Sequence, residues 1–339
     1  MKRLVFFVLC INILVFSSCY LTTIGITPSP AAFTTADSPF FHSRNQSIVG
    51  MATDGTRVVA VSHQGNIALS EDHGVTWEFV DLGLSHGNII QFNTVVYGEG
   101  FFLAGGNNGQ AAWSTDGRNW YVGVIGPMNP KNILSLSIGR LKHQTVFVAG
   151  GTDGRLAFAI NSPLGPWQQV SFSPFGDLPG GGEAVHSIAH GRIRGRAMFI
   201  AVGDTGNIAV MRDFGGRLYG PSAVGTRLTF RGVSFNNDRF VVVGDGGQMR
   251  VSADPYNNAW LTIREPIFGL RAFHHIEFAP SVDMFVMAAS GSILGFSANG
   301  ESWTASSFIE RFPNGITAIA GTNRRIVLGG ADGTILFSN

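Results

Sequence analysis

The segment RVVAVSHQGNIALS, residues 57–70, joins an apolar stretch to a second alternating one through a short polar turn, and then runs into SEDHGVTW, residues 70–77. The same arrangement recurs along the chain. It appears as FFLAGGNNGQAAWS (101–114), VFVAGGTDGRLAFAI (146–160), MFIAVGDTGNIAVM (198–211), RFVVVGDGGQMRVS (239–252), MFVMAASGSILGFS (284–297) and RIVLGGADGTILFS (325–338). Each copy reads as strand, small-residue turn, strand. The turn glycines, Gly65, Gly109, Gly154, Gly206, Gly247, Gly291 and Gly333, are separated by 44, 45, 52, 41, 44 and 42 residues. That is the period of a four-stranded propeller blade, about 40 to 45 residues.

A further short strand precedes every hairpin: SIVGMAT, NTVVYG, LSLSIG, HSIAHG, RGVSF, HHIEFAP and GITAIAG. Six of the seven hairpins are followed by a segment ending in an aromatic residue, usually tryptophan. We assign strand A to the first element, B and C to the hairpin, and D to the aromatic-bearing segment. The pattern predicts an all-β, seven-bladed β-propeller of four-stranded antiparallel blades, an architecture that leaves no long exposed edge. The seventh copy stops after strand C. Counting back from Ile48 by the usual D-to-A distance reaches AAFTTAD, so a strand near Pro30 to Thr35 is expected to complete that blade and close the ring.

Ser70, Asp72, Gly74, Thr76 and Trp77 spell Ser-x-Asp-x-Gly-x-Thr-Trp, and weaker copies occupy the same place in other repeats. These are STDGRNW with Asp116 and Trp120, SANGESW with Trp303, SADPYNNAW with Asp254 and Trp260, INSPLGPW with Trp167, and MRDFGGRLY ending in Tyr219. The pattern resembles the Asp-box, or BNR repeat, of sialidases, sortilin-type domains and photosystem-assembly-factor propellers. A folding role accounts for each position. Aspartate accepts hydrogen bonds from turn N–H groups, glycine permits positive φ, and tryptophan buries a large face between blades. Copies in different blades cannot converge on one catalytic site.

Strand phase separates the faces of the ring, with A–B and C–D turns on one and B–C and D–A connections on the other. The second is the expected binding face. Its B–C turns supply His63, Gln64, Asn107, Asn108, Asp153, Asp204, Asp245 and Asp332, and its D–A connection IREPIFGLRAFHH adds Arg264 and Arg271. The four aspartates read either as a cation or sugar site or as ordinary Asp-Gly turn chemistry. The longest D–A connection is SFSPFGDLPGGGEA, residues 171–184. Adjacent His274 and His275 should point to opposite sides of a strand, while His186 and His190 should share one. Without a third ligand of clear spacing, that pair defines no metal centre, and no metal or cofactor is expected.

Membership of the sialidase branch would imply three arginines on the substrate carboxylate, an early Phe/Tyr-Arg-Ile-Pro motif and a Tyr-Glu nucleophile pair. No such arginine motif occurs; TIREP around Arg264 comes late, with the wrong neighbours. That family's catalytic domains also have six blades. GGNNGQ and its relatives are turns between strands, not phosphate loops opening a helix.

The N-terminus, MKRLVFFVLCINILVFSSCYL, places Lys2 and Arg3 before an apolar run too short to span a bilayer. FSSC resembles a bacterial lipobox, with Phe16 where that family usually carries leucine and Cys19 as the lipidated residue. The expected organisation is a lipoprotein signal peptide at 1–18, a tether at 19–30 and a propeller at 31–339. Cys10 leaves with the signal, so no thiol remains for a disulfide. Loss of Lys2 and Arg3 leaves 21 basic against 22 acidic residues. No basic stripe is left for nucleic acid. Together these features predict an exported, lipid-anchored, non-enzymatic binding or assembly module of a bacterial envelope, facing the periplasm or cell surface, with a protein partner as the photosystem-assembly-factor resemblance implies. The alternatives are a glycan-binding protein or glycoside hydrolase, and a structural component of an envelope complex.

Overall fold

A computed structural model describes residues 29–36, 46–84, 89–170, 182–212, 215–219 and 224–339. The expected signal segment, Cys19, most of the tether and residues 171–181 lie outside them. Seven four-stranded antiparallel sheets follow one another around a ring. The inner A strands are Ile48–Thr53, Phe92–Gly98, Ile133–Leu141, Val185–Ile193, Phe230–Phe235, Phe273–Ala279 and Ile316–Gly321.

Strand B of blade 1, Val58–Ser62, is buried at all five positions, because each of its faces meets a neighbouring blade. Its sequence is accordingly an unbroken apolar run, whereas strand D, exposed at the perimeter, tolerates residues such as Thr304–Ser307. The core is divided into seven clusters, each shared by two successive blades. Fully buried phenylalanines such as Phe102, Phe147, Phe199, Phe240 and Phe285 fill the B strands.

Blade 7 is completed by Phe33–Thr35, which pairs antiparallel with Ile335–Ser338, as the repeat phase requires. The Asn339 N–H donates to Ala32 O, and Phe33 stacks edge-on against Phe308 at 5.1 Å. Arg311 reaches from blade 6 to Phe33 O and Thr35 Oγ1. The seam therefore has both ladder hydrogen bonds and a packed apolar anchor.

One irregularity repeats in every blade. The A–B register shifts between Ile48 and Gly50, Phe92 and Thr94, Ile133 and Ser135, Val185 and Ser187, Phe230 and Gly232, Phe273 and His275, and Ile316 and Ala318. Each skipped residue forms a β-bulge, which locally breaks the two-residue alternation. These bulges stand where strand A enters the ring, and they shape the channel mouth.

Candidate functional site: the channel mouth

The C–D loops are built as folding elements. Asp72 Oδ1 accepts from Ser70 Oγ, Val75 N and Thr76 N, and its Oδ2 accepts from Thr76 Oγ1. Asp116 repeats this with Ser114, Arg118 and Asn119. Burial pushes both carboxyls upward, but these hydrogen bonds outweigh it and hold both below the usual aspartate range. Gly74 has φ +89°, and a Cβ there would lie 2.5 Å from Val327 of blade 7. Trp77, Trp120 and Trp303 donate Nε1–H to the carbonyls of Gly74, Gly117 and Gly300. Among the described residues, the Asp254 carboxylate accepts only from Asn257 Nδ2, and Trp260 Nε1 has no partner.

A latch absent from the sequence reading joins these loops to the preceding blade. Arg57, Arg239 and Arg325, each ending an A–B turn, donate to the carbonyls of Asp116, Asn299 and Asp72. These contacts place the A–B and C–D turns on one face.

On the other face, the first residue of the B–C turn donates its N–H to the D–A connection: Asn107 to Gln91, Thr152 to Asn132, Asp204 to Ala184, Asp245 to Thr229, Ser290 to Ala272 and Ala331 to Gly315. The expected aspartates separate here into two groups. Asp153 pairs with Arg155 at 3.0 Å, and Asp332 accepts from Thr334 N within its own turn. Asp204 and Asp245 instead engage the bulged residues of strand A. His63 Nδ1 lies 3.2 Å from Phe92 O, and Asn107 donates to Gln91 Oε1. Asn108 is exposed, with φ 55°. Arg264 is exposed, while Arg271 donates to Phe268 O and its own carbonyl receives Gly247 N–H.

The seven bulged residues, Val49, Asn93, Leu134, His186, Arg231, His274 and Thr317, all border the central cavity of about 430 Å³. Val49 and Leu134 are apolar. Asn93 donates to Asn107 Oδ1, and Thr317 to Gly329 O. Blades 4 to 6 are different. His186 Nε2 meets Asp204 Oδ1 at 2.8 Å, Arg231 grips Asp245 through Nε at 2.6 Å and Nη2 at 2.9 Å, and His274 Nε2 meets Ser290 Oγ at 2.9 Å. Thr229 Oγ1 links Asp204 to the blade 5 connection. The Asp245 carboxylate raises the Arg231 pKa, whereas burial and then the Arg231 charge lower that of His274. The polar half of the mouth is thus a row of side chains held in place by hydrogen bonds to their own B–C turns.

Around it, Leu228, Ile267 and Leu270 project from the D–A connections, and Leu270 is 86% exposed. Arg250, 2% exposed, holds the blade 4–5 connection by donating Nε and Nη2 to Val224 O. The exposed leucines therefore stand on anchored loops.

The bulge at His186 also alters one histidine expectation. His186 is diverted to Asp204, while His190 lies against Phe199 and places Nε2 3.1 Å from Arg140 O, so the two do not form a pair. His274 meets Ser290 of its own blade while His275 bonds the Ile319 backbone of blade 7, so the adjacent rings point apart, although both residues border the cavity. Among the described residues, no group of three or more His, Cys, Asp or Glu is arranged to hold a metal ion.

Neither Arg231 nor the bulge position stands out from strand periodicity. The bulge is marked by an apolar-x-small triplet opening six of the seven A strands, as in Phe230-Arg231-Gly232, with the variable middle residue bordering the mouth; in blade 6 the third place is His275.

The fold defines the class: a seven-bladed β-propeller. No family model and no curated protein matches the chain. Among solved structures it is similar to YCF48 from Cyanidioschyzon merolae, with TM-score 0.65 and 15% identity over 91% of this chain and 98% of that one. It is also similar to a structure described as YCF48 bound to D1 peptide, with TM-score 0.67 and 16% identity over 91% and 95%. A third is the WD40 β-propeller domain of Doa1, with TM-score 0.65 and 15% identity over 90% and 96%. At such identities the likeness is one of fold.

Proposed function

We propose that this propeller is a non-enzymatic protein-binding or assembly module whose docking surface is the mouth face of blades 4 to 6. The carrying observation is the asymmetry of the bulge ring: equivalent positions hold Val49 and Leu134 on one side and His186, Arg231 and His274 on the other. Exposed Leu228, Ile267 and Leu270 beside fixed polar groups suit a protein interface, in which apolar anchors are set among oriented hydrogen-bonding groups. The similar propeller YCF48, solved bound to D1 peptide, supports this reading by analogy of fold. Asp204 and Asp245, the B–C turn acids that reach the bulged residues, are already committed to His186 and Arg231, which argues against a free pair of turn carboxylates for glycoside hydrolysis.

The N-terminal sequence supports placing the module in a bacterial envelope, anchored through lipidated Cys19 and the tether after it. Capture from detergent-solubilised membranes tests the docking surface. Leu270→Asp and Arg231→Ala should each abolish recovery of the partner, while Arg118→Ala on the opposite face retains it. Undiminished capture by both mouth variants overturns the assignment. Metabolic labelling with palmitate tests the anchor, with Cys19→Ala expected to lose the label.

A further inference from the structure

Six blades carry residues without ionisable groups at two wall positions of the channel, and blade 6 departs at both. Counted from the bulge, the positions equivalent to His275 hold Gly50, Thr94, Ser135, Ser187, Gly232 and Ala318. Those equivalent to Glu277 hold Ala52, Val96, Ser137, Ala189, Ser234 and Ala320. His275 and Glu277 lie two residues apart on one strand and border the same cavity of about 430 Å³. That volume is within the range of small-ligand sites, roughly 300 to 1,000 Å³.

We propose that this wall is a binding site for a primary ammonium group, with Glu277 as its counter-ion. Glu277 has no hydrogen-bond or ionic partner among the described residues, and burial alone pushes its pKa up to about 7. His275 is kept neutral by burial, with a pKa near 4; one ring nitrogen bonds the Ile319 backbone and its Nε2 has no partner among the described residues. The strands packed on that of Glu277 supply no compensating cation. Strand A of blade 7 and strand B of blade 6, Met284–Ala289, carry no ionisable side chain, and Arg231 of blade 5 is occupied by Asp245. On its own strand, His274 is turned to Ser290. The wall therefore has acceptors in excess and lacks a donor cation. An ammonium offers three donors and a compact charge, and on binding to the acid form it sends the Glu277 proton to solvent.

The test titrates the full chain with n-butylammonium chloride by calorimetry, while carbon-13 NMR follows the glutamate carboxyls, with Glu277 assigned from Glu277→Gln. Because the ionised fraction of an acid titrating at about 7 rises roughly tenfold from pH 6 to pH 8, affinity should rise about tenfold over that interval. The Glu277 signal should titrate at lower pH when the amine is bound. Glu277→Gln, checked for folding by circular dichroism, should lose binding. No binding at either pH, pH-independent binding, unchanged binding by the variant, or preferential binding of acetate at pH 6 overturns the proposal. The wild-type titration decides the matter even if the variant does not fold. If n-butylammonium releases a captured protein, the ammonium source is a partner lysine. Binding without release assigns it to a free amine.

Discussion

The two faces of the ring use repetition in opposite ways. On the C–D face, Asp72 and Asp116 make nearly the same set of hydrogen bonds, and Arg57, Arg239 and Arg325 latch three loops by the same carbonyl. On the mouth face, the backbone bulge is repeated seven times but its side chain is not: Val49, Asn93, Leu134, His186, Arg231, His274 and Thr317 share a position and little else. Repeated chemistry marks what every blade needs to fold. Repeated geometry with divergent chemistry marks where one ring can present a particular surface.

Substitutions should separate these roles. The largest loss is expected from Trp303→Ala, which empties the blade 5–6 core and removes the donor to Gly300 O; denaturant unfolding should show a loss of about 3 to 5 kcal/mol. Partner capture by any surviving folded fraction should be unchanged.

Asp72→Ala leaves several turn donors without their acceptor and should cost about 1 to 3 kcal/mol, whereas Asp254→Ala, in a loop that never formed the same set, should cost less in the same assay. Because the folded-state pKa values of Asp72 and Asp116 are lowered from 3.8, their stabilisation is present above that value and is lost as pH falls through the lowered values. An Asp72→Ala variant should therefore approach wild-type stability in strong acid.

Glu277 has the opposite sign. Its folded-state pKa is raised from 4.5 to about 7, so its protonated form is favoured in the folded chain. Stability is lost as pH rises from about 4.5 through 7. Glu277→Gln should melt with wild type near pH 4 and above it at pH 8, as thermal scans would show. A difference constant across that range would contradict the raised pKa of Glu277.

The smallest effect belongs to Arg118→Ala. Its guanidinium pairs with Glu71 and Glu78, but the group is solvent-exposed, so melting temperature should not change measurably.

Strand phase was legible because blade neighbours cover both faces of strands B and C, and only uninterrupted apolar runs satisfy that burial. Loop chemistry was legible for a similar reason: Ser70, Asp72, Gly74 and Trp77 act within a few residues of one another, so their spacing contains their geometry. The mouth was only half legible. Asp204 and Asp245 could be placed on the right face, yet sequence did not distinguish them from Asp153 and Asp332, whose partners are local. Arg231 and His186 reach the mouth because a bulge displaces each from the alternation that strand reading assumes.

By itself, the sequence determined the seven-fold repeat, the N-terminal strand that closes it and the face on which each turn emerges, since all three follow from local periodicity and chain phase. Only the tertiary structure decided which polar residues meet. Closing the ring brings strands distant in sequence around one channel, aligns seven bulges at its mouth, and leaves Glu277 as a half-buried acid of the channel wall with no cation beside it among the described residues.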